Sequence, residues 1–150
     1  MSGPRLFQAL FVLYLGVLLS LTLLPGQVVY SDQPFANLRP LQAIGRALAD
    51  GFDPAGQREL LLIGNVVAFI PLGILWPLVV PARRTWLSVL AVGAGLSAAI
   101  ELGQLLISLV IGYPYRQADI DDVLLNTAGA LIGYGAFSLR RAWKPAHRPG

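Results

Sequence analysis

The chain has 150 residues, of which 55% are hydrophobic and 13% charged, with a formal net charge of +3 and a mean hydropathy of +0.64. Soluble domains carry roughly 25% charged residues, so the composition excludes an ordinary soluble domain and predicts an integral membrane protein. The chain has no cysteine and a single histidine, His147, which excludes disulfides, thiolate metal sites and a histidine-centred catalytic triad.

Four apolar runs predict four transmembrane helices in one all-α membrane domain that covers residues 1–150. The runs are close to the roughly 20 residues that the hydrocarbon core requires, although the fourth is somewhat short. The first ends in Leu-Pro-Gly at residues 24–26 without a clear cleavage site, which favours a span over a cleaved signal peptide. The predicted spans are residues 6–25, 60–80, 86–111 and 121–139.

The eleven Lys and Arg residues are distributed unevenly about these spans. Seven precede the first span, separate the second from the third, or lie in a basic tail at residues 140–150: Arg5, Arg83, Arg84, Arg140, Arg141, Lys144 and Arg148. Positive residues concentrate on the cytoplasmic side, so this multi-pass protein is predicted to have both termini in the cytoplasm. Anionic membrane lipid is a sufficient partner for these residues, and nucleic-acid binding is not expected.

The first extracytoplasmic loop, at about residues 26–59, is long enough to contain structure. Leu41, Ile44 and Leu48 are spaced as on one helical face. Gly51 follows as a C-terminal cap. The pattern predicts a short amphipathic helix that lies on the outer membrane surface or over the bundle. A flexible loop is the alternative, because the pattern covers only two turns.

Polar residues recur at helical spacing in the third and fourth spans. In each span they fall on one helical face, and the two faces are expected to meet because a carboxylate facing lipid costs a few kcal/mol or more. Together with Asn65 of the second span, in which Pro71 predicts a kink, they predict a pocket in the outer half of the membrane. Its predicted ligand-binding residues are Asn65, Glu101, Gln104, Arg116, Asp119, Asp122 and Asn126.

Some of the small and polar residues have ordinary structural explanations. Gly129-x-x-x-Gly133 is a helix-packing motif, and Asp121 lies on another face, where a capping role is expected. Interhelical hydrogen bonds would account for the two asparagines, and a rim salt bridge for Arg116. Glu101 is the hardest to explain in this way, because alanine would serve packing better.

Four stretches carry a family resemblance. They are Asn37-Leu38-x-Pro40, Asn65-x-x-x-Phe69-Ile70-Pro71-Leu72-Gly73, Glu101-x-x-Gln104 and Arg116-x-x-Asp119-x-x-Asp122-x-x-x-Asn126-x-x-Gly129-x-x-x-Gly133. Together they resemble the VanZ-like family of small bacterial membrane proteins, over roughly residues 6–139. The resemblance implies a multi-span protein of the bacterial cytoplasmic membrane with a link to teicoplanin-type glycopeptide resistance.

Two functional hypotheses from different classes follow. In the first, the pocket binds an extracytoplasmic amphiphilic ligand, such as a glycopeptide antibiotic or a cell-envelope lipid intermediate. In the second, the protein is an intramembrane enzyme acting on a lipid-linked cell-envelope substrate. Glu101 would then be the acid or base, and Asp119 and Asp122 would offer oxygen ligands to a divalent cation.

The residue types favour binding over catalysis, although they do not decide between the two. No activated nucleophile and no recognised metal-ligand motif accompany the carboxylates, so neither a cofactor nor a metal site is predicted. An assembly factor that holds another membrane protein is a third hypothesis. A bundle of this size is thin, and a homodimer is one way to complete a cavity.

Overall fold

The structure, a computed structural model, describes residues 3–24, 34–53 and 56–143 and is mostly helical. Its helices are α1 (Gly3–Leu23), α2 (Gln42–Ala49), α3 (Gln57–Val79), α4 (Trp86–Ile111) and α5 (Ile120–Ala142), with a 3-10 turn at Pro81–Arg83. Two short strands, β1 (Ala36–Asn37) and β2 (Ala118–Asp119), precede α2 and α5.

Among the described residues, three helical segments are long and apolar enough to cross a membrane: Pro4–Leu23, Glu59–Val79 and Trp86–Ile111. They correspond to the first three predicted spans. The fourth predicted span lies in α5, which has 23 residues but is not among these segments. The helix α5 continues through Arg140 and Arg141, which the sequence assigned to the tail, and residues 144–150 lie outside the described part of the chain.

The helix α5 packs most extensively against α3 and next against α4. Glycines in α5 allow it to contact the backbone of α3 directly. A Cβ atom added at Gly129 would overlap the carbonyl oxygen of Val66, and one added at Gly133 would overlap that of Ile70. Backbone-to-backbone contact of this kind requires residues without side chains. The packing role predicted for Gly129 and Gly133 is therefore confirmed.

The hydrophobic core lies where α1, α3, α4 and α5 meet. Its buried residues are Leu18, Phe69, Leu72, Val89, Ile100 and Ala130. By contrast, Val12 and Leu21 of α1 and Val110 of α4 are 68%, 69% and 87% exposed. Large apolar side chains on an outer surface of this extent are typical of a lipid-facing bundle.

Tyr14 of α1 inserts its hydroxyl group into α3 beside Pro71. Proline has no N–H group, so it removes one bond from the helical ladder. The Tyr14 hydroxyl donates to the carbonyl oxygen of Ala68 at 2.9 Å, and the Leu72 N–H is hydrogen-bonded to the same hydroxyl. The hydroxyl thereby joins α1 to the backbone of α3 beside the proline.

The strands β1 and β2 form a parallel pair in which Ala36 faces Ala118 and Asn37 faces Asp119. The pairing ties the segment before α2 to the segment between α4 and α5. Neither strand is predictable from the sequence, since a two-residue strand has no periodicity.

The N-terminal end of the short helix α2 is capped by the carboxylate of Asp121, a residue of α5. Asp121 is fully buried, its Oδ2 atom accepts from the N–H of Ala43 at 2.7 Å, and its Oδ1 atom accepts from that of Leu41. Leu41 has a φ of 63°, a left-handed conformation that a non-glycine residue rarely adopts. Gly51, with a φ of 84°, follows the other end of the helix. Asp121 thus caps a distant helix.

Candidate functional site

Three side chains from α4 and the loop after it cap the C-terminal end of α1. The last carbonyl groups of a helix have no partner within the helix, so they need donors from elsewhere. The pairs are Arg116 Nη2 to Leu21 O (3.0 Å), Gln104 Nε2 to Thr22 O (3.1 Å) and Tyr115 Oη to Leu23 O (3.2 Å). Gln104 and Arg116 therefore have structural partners at the end of α1.

Tyr115 also belongs to this cap, although it is not among the site residues predicted from the sequence. It is buried and lies in the loop between α4 and β2, where no helical spacing marks it. Burial raises the pKa of the Tyr115 hydroxyl, which stays protonated and able to donate. The neighbouring Ser108 hydroxyl donates to the Arg116 carbonyl oxygen at 3.2 Å and holds the loop against α4.

Asp119 organises the start of α5. Its carboxylate accepts from the N–H of Asp121 at 2.9 Å, which makes it the N-cap of the helix. The same carboxylate accepts from Asn37 Nδ2, at 3.2 Å on Oδ1 and 3.1 Å on Oδ2. Asn37 belongs to one of the family-like stretches, and the β1–β2 register brings it to this position. Both oxygens of Asp119 thus already have protein partners.

Glu101 is connected to this region through the backbone of Asp119. Its Oε2 atom accepts from the Asp119 N–H at 2.8 Å, and the residue is only 8% exposed. The charges of Asp122 and Arg116 both act on it. On the other side of Asp122, the Asn65 side chain of α3 is a hydrogen-bond partner of the carboxylate. The structure therefore brings Asn65, Glu101 and Asp122 together from three helices.

Asn126 lies one turn beyond Asp122 along α5, and it faces α4. Its Nδ2 atom donates to the hydroxyl of Ser97 at 2.8 Å. Ser97 is completely buried and Asn126 is 5% exposed. The Oδ1 atom of Asn126 is a buried polar atom that has no hydrogen-bond partner in the described part of the chain. Most buried polar atoms in proteins are paired, so such an atom asks for an explanation.

The predicted site residues thus divide into two groups. Gln104, Arg116 and Asp119 cap helices and hold the loops together. The others form what we call the buried polar cluster, made of the buried Ser97, Glu101 and Asn126 and the half-buried Asn65 and Asp122. Ser97 lies four residues before Glu101, on the same face of α4, and it is not among the residues predicted to bind the ligand. Within the described residues, no group of three or more His, Cys, Asp or Glu side chains is arranged to hold a metal ion.

A model of the VanZ/LLP1 family matches residues 11–141, which is nearly the whole chain. The match includes the buried polar cluster and all three capping side chains of α1. No curated protein and no solved structure matches the chain.

Proposed function

Because the chain belongs to the VanZ/LLP1 family, we propose that it is a four-span protein of the bacterial cytoplasmic membrane that binds an amphiphilic extracytoplasmic ligand. The ligand enters the buried polar cluster with its polar group, and its acyl chain lies along the apolar helices. A teicoplanin-type lipoglycopeptide and a cell-envelope lipid intermediate both have this dual character. A contribution to glycopeptide tolerance follows from the first of these ligands.

The packing of α5 supports its assignment as the fourth span. Its polar residues Asp121 and Asn126 are buried against the other helices, whereas Ile132 and Leu139 are 55% and 72% exposed. A helix that turns polar groups inward and apolar groups outward suits a membrane even when its mean hydropathy is modest. Four spans also leave both ends of the chain on one side, as the distribution of basic residues requires.

The contacts at the two ends of the bundle support the proposed orientation. The hydroxyl of Tyr134 donates to the carbonyl oxygen of Arg84 at 3.2 Å, which joins the basic turn before α4 to α5. The opposite end carries β1, β2 and α2 and lies nearer to Glu101 and Asp122. With the basic end in the cytoplasm, the buried polar cluster lies towards the extracytoplasmic side and α2 lies at that surface.

The observation that carries the proposal is the buried amide oxygen of Asn126, which has no hydrogen-bond partner among the described residues. Asn126 lies one turn along α5 from Asp122, whose charge acts on the buried Glu101. Capping explains Asp119 and Asp121, and Asp122 lies in the first turn of α5, whereas Glu101 and Asn126 lie within their helices, away from either end. Ionisable groups inside a membrane bundle are costly, and they mark ligand or ion sites by default. A bound polar group would supply a partner for the Asn126 amide oxygen.

The test compares two isosteric variants with a matched control. Glu101→Gln and Asp122→Asn keep the shape of the side chains and remove the charge, and Glu59→Gln makes the same change at a buried carboxylate in the first turn of α3. Susceptibility to teicoplanin is measured in a sensitive strain that expresses each protein, with membrane levels quantified in parallel. We expect both cluster variants to lose protection at unchanged membrane levels and the control to keep it. Full protection by both cluster variants would contradict the proposal.

The proximity of Glu101 and Asp122 favours one second candidate, an intramembrane enzyme. Two neighbouring carboxyl groups can serve as proton donor and acceptor for a lipid-linked substrate. Mass spectrometry of cell-envelope lipids incubated with the purified protein separates the candidates. A new product that disappears in Glu101→Gln supports catalysis, and ligand retention without a product supports binding.

A further inference from the structure

We infer that the buried polar cluster receives a protonated amine of the ligand rather than a phosphate or carboxylate. The inference rests on the binding function proposed above and names the chemical class of the group that enters. It follows from which hydrogen-bonding atoms around the cluster are already engaged and which are not.

The donors around the cluster are engaged with protein acceptors. Gln104 and Tyr115 donate to carbonyl oxygens at the end of α1, and Asn37 donates to Asp119. The Nδ2 atom of Asn126 donates to Ser97, and Asn65 is the partner of the Asp122 carboxylate. An anionic group would have to displace these partners to reach the amide and hydroxyl donors, and the charged donor Arg116 gives its Nη2 N–H to the Leu21 carbonyl oxygen at the end of α1.

The unengaged groups are acceptors. Among the residues that the structure describes, none is a hydrogen-bond partner of the Asn126 Oδ1 atom, although the residue is only 5% exposed. Glu101 receives the N–H of Asp119 on Oε2, and that bond leaves its second oxygen for another donor. Ammonium has three N–H donors and no acceptor, so it matches a set of acceptors of this kind.

The charges around the cluster favour a cation as well. Glu101, Asp119, Asp121 and Asp122 are four carboxyl groups, and Arg116 is the guanidinium whose charge acts on both Glu101 and Asp122. Neighbouring carboxylates in an apolar surrounding cannot both remain ionised unless a proton or a cation compensates them. An amine provides that charge, whereas a phosphate would add to the repulsion.

The test uses three amphiphiles with the same acyl chain: dodecylamine, dodecyl phosphate and the neutral N-dodecylacetamide. Binding of each amphiphile in labelled form to the full chain in nanodiscs of zwitterionic lipid is measured, with empty nanodiscs as the background, and labelled dodecylamine is then used for competition. We expect saturable binding that unlabelled dodecylamine displaces and the other two amphiphiles do not. Glu101→Gln and Asp122→Asn should each raise the Kd about thirtyfold or more, as loss of one partner of a buried charged pair does, and Glu59→Gln should leave it unchanged.

The outcomes separate this inference from the proposed function. One such outcome is that dodecyl phosphate competes in the native chain and fails to compete in the cluster variants. That result would overturn the inference that the group is an amine, but amphiphile binding at the cluster would still stand. Absence of saturable binding by all three amphiphiles would overturn both. Thermal unfolding of each variant in the same nanodiscs verifies that it is folded, and the single variants give two independent readings of the cluster.

Discussion

Replacement of Gly133 by alanine is predicted to separate α5 from α3. The added Cβ would overlap the carbonyl oxygen of Ile70 and lie 3.1 Å from the Cα atom of Gly73. Both obstacles are backbone atoms, which cannot rotate away as a flexible side chain would. One helix must shift along or away from the other to accommodate the methyl group.

The magnitude follows from two opposing effects. Overpacking of a well-packed contact costs about 1–3 kcal/mol, and a backbone obstacle places Gly133→Ala near the upper end, at about 3 kcal/mol. Alanine is favoured over glycine within a helix by about 1 kcal/mol. The net loss in the free energy of unfolding is therefore about 2 kcal/mol. At Gly135, where an added Cβ meets nothing within 4 Å, only the favourable effect remains.

The assay is unfolding of purified protein in mixed micelles as the fraction of SDS is raised, followed by circular dichroism. Gly133→Ala should unfold at a lower SDS fraction than the native chain, and Gly135→Ala at the same or a higher one. If the two variants unfold together, the close α3–α5 contact is wrong. The position of Asn65 beside Asp122 would then be wrong as well, because this contact determines it.

Three other substitutions test the roles assigned to single side chains. Asp121→Ala removes the acceptor for two N–H groups of α2 and should destabilise the protein by about 2–4 kcal/mol; hydrogen exchange in α2 that stays as slow as before would refute the cap. Tyr14→Phe leaves the Ala68 carbonyl without its donor and should lower the free energy of unfolding by about 1–2 kcal/mol, whereas Tyr113→Phe at an exposed loop position should not. Gln104→Leu should speed hydrogen exchange at the C-terminal end of α1 and leave ligand affinity unchanged; a selective loss of affinity would instead give Gln104 the binding role that the sequence suggested.

The helices could be predicted from the sequence because their signal is local. A run of apolar residues is sufficient to define a span, and the third predicted span has the same bounds as α4 (Trp86–Ile111). The polar faces of the third and fourth spans were also predictable, since a fixed helical repeat determines which residues share a face. The contact between Glu101 and the start of α5 agrees with the expectation that these faces meet.

The partners of the polar residues could not be predicted, because they depend on contacts between distant parts of the chain. Gln104 lies on the same helical face as Glu101, but the C-terminal end of α1 lies beside it, and the Gln104 amide donates to the carbonyl oxygen of Thr22. Asp121 lies on another face of α5, and the loop before α2 folds back over it. Helical spacing determines where a side chain points, but it carries no information on which distant backbone group arrives there.

The most direct test of the binding function is a structure of the full chain determined in lipid nanodiscs in the presence of dodecylamine. We expect density for the amphiphile between Asn65, Glu101 and Asn126, with its nitrogen within hydrogen-bonding distance of the Glu101 carboxylate and the Asn126 amide oxygen. Density confined to the lipid surrounding α1 and α4, with the cluster closed on itself by its own side chains, would contradict it.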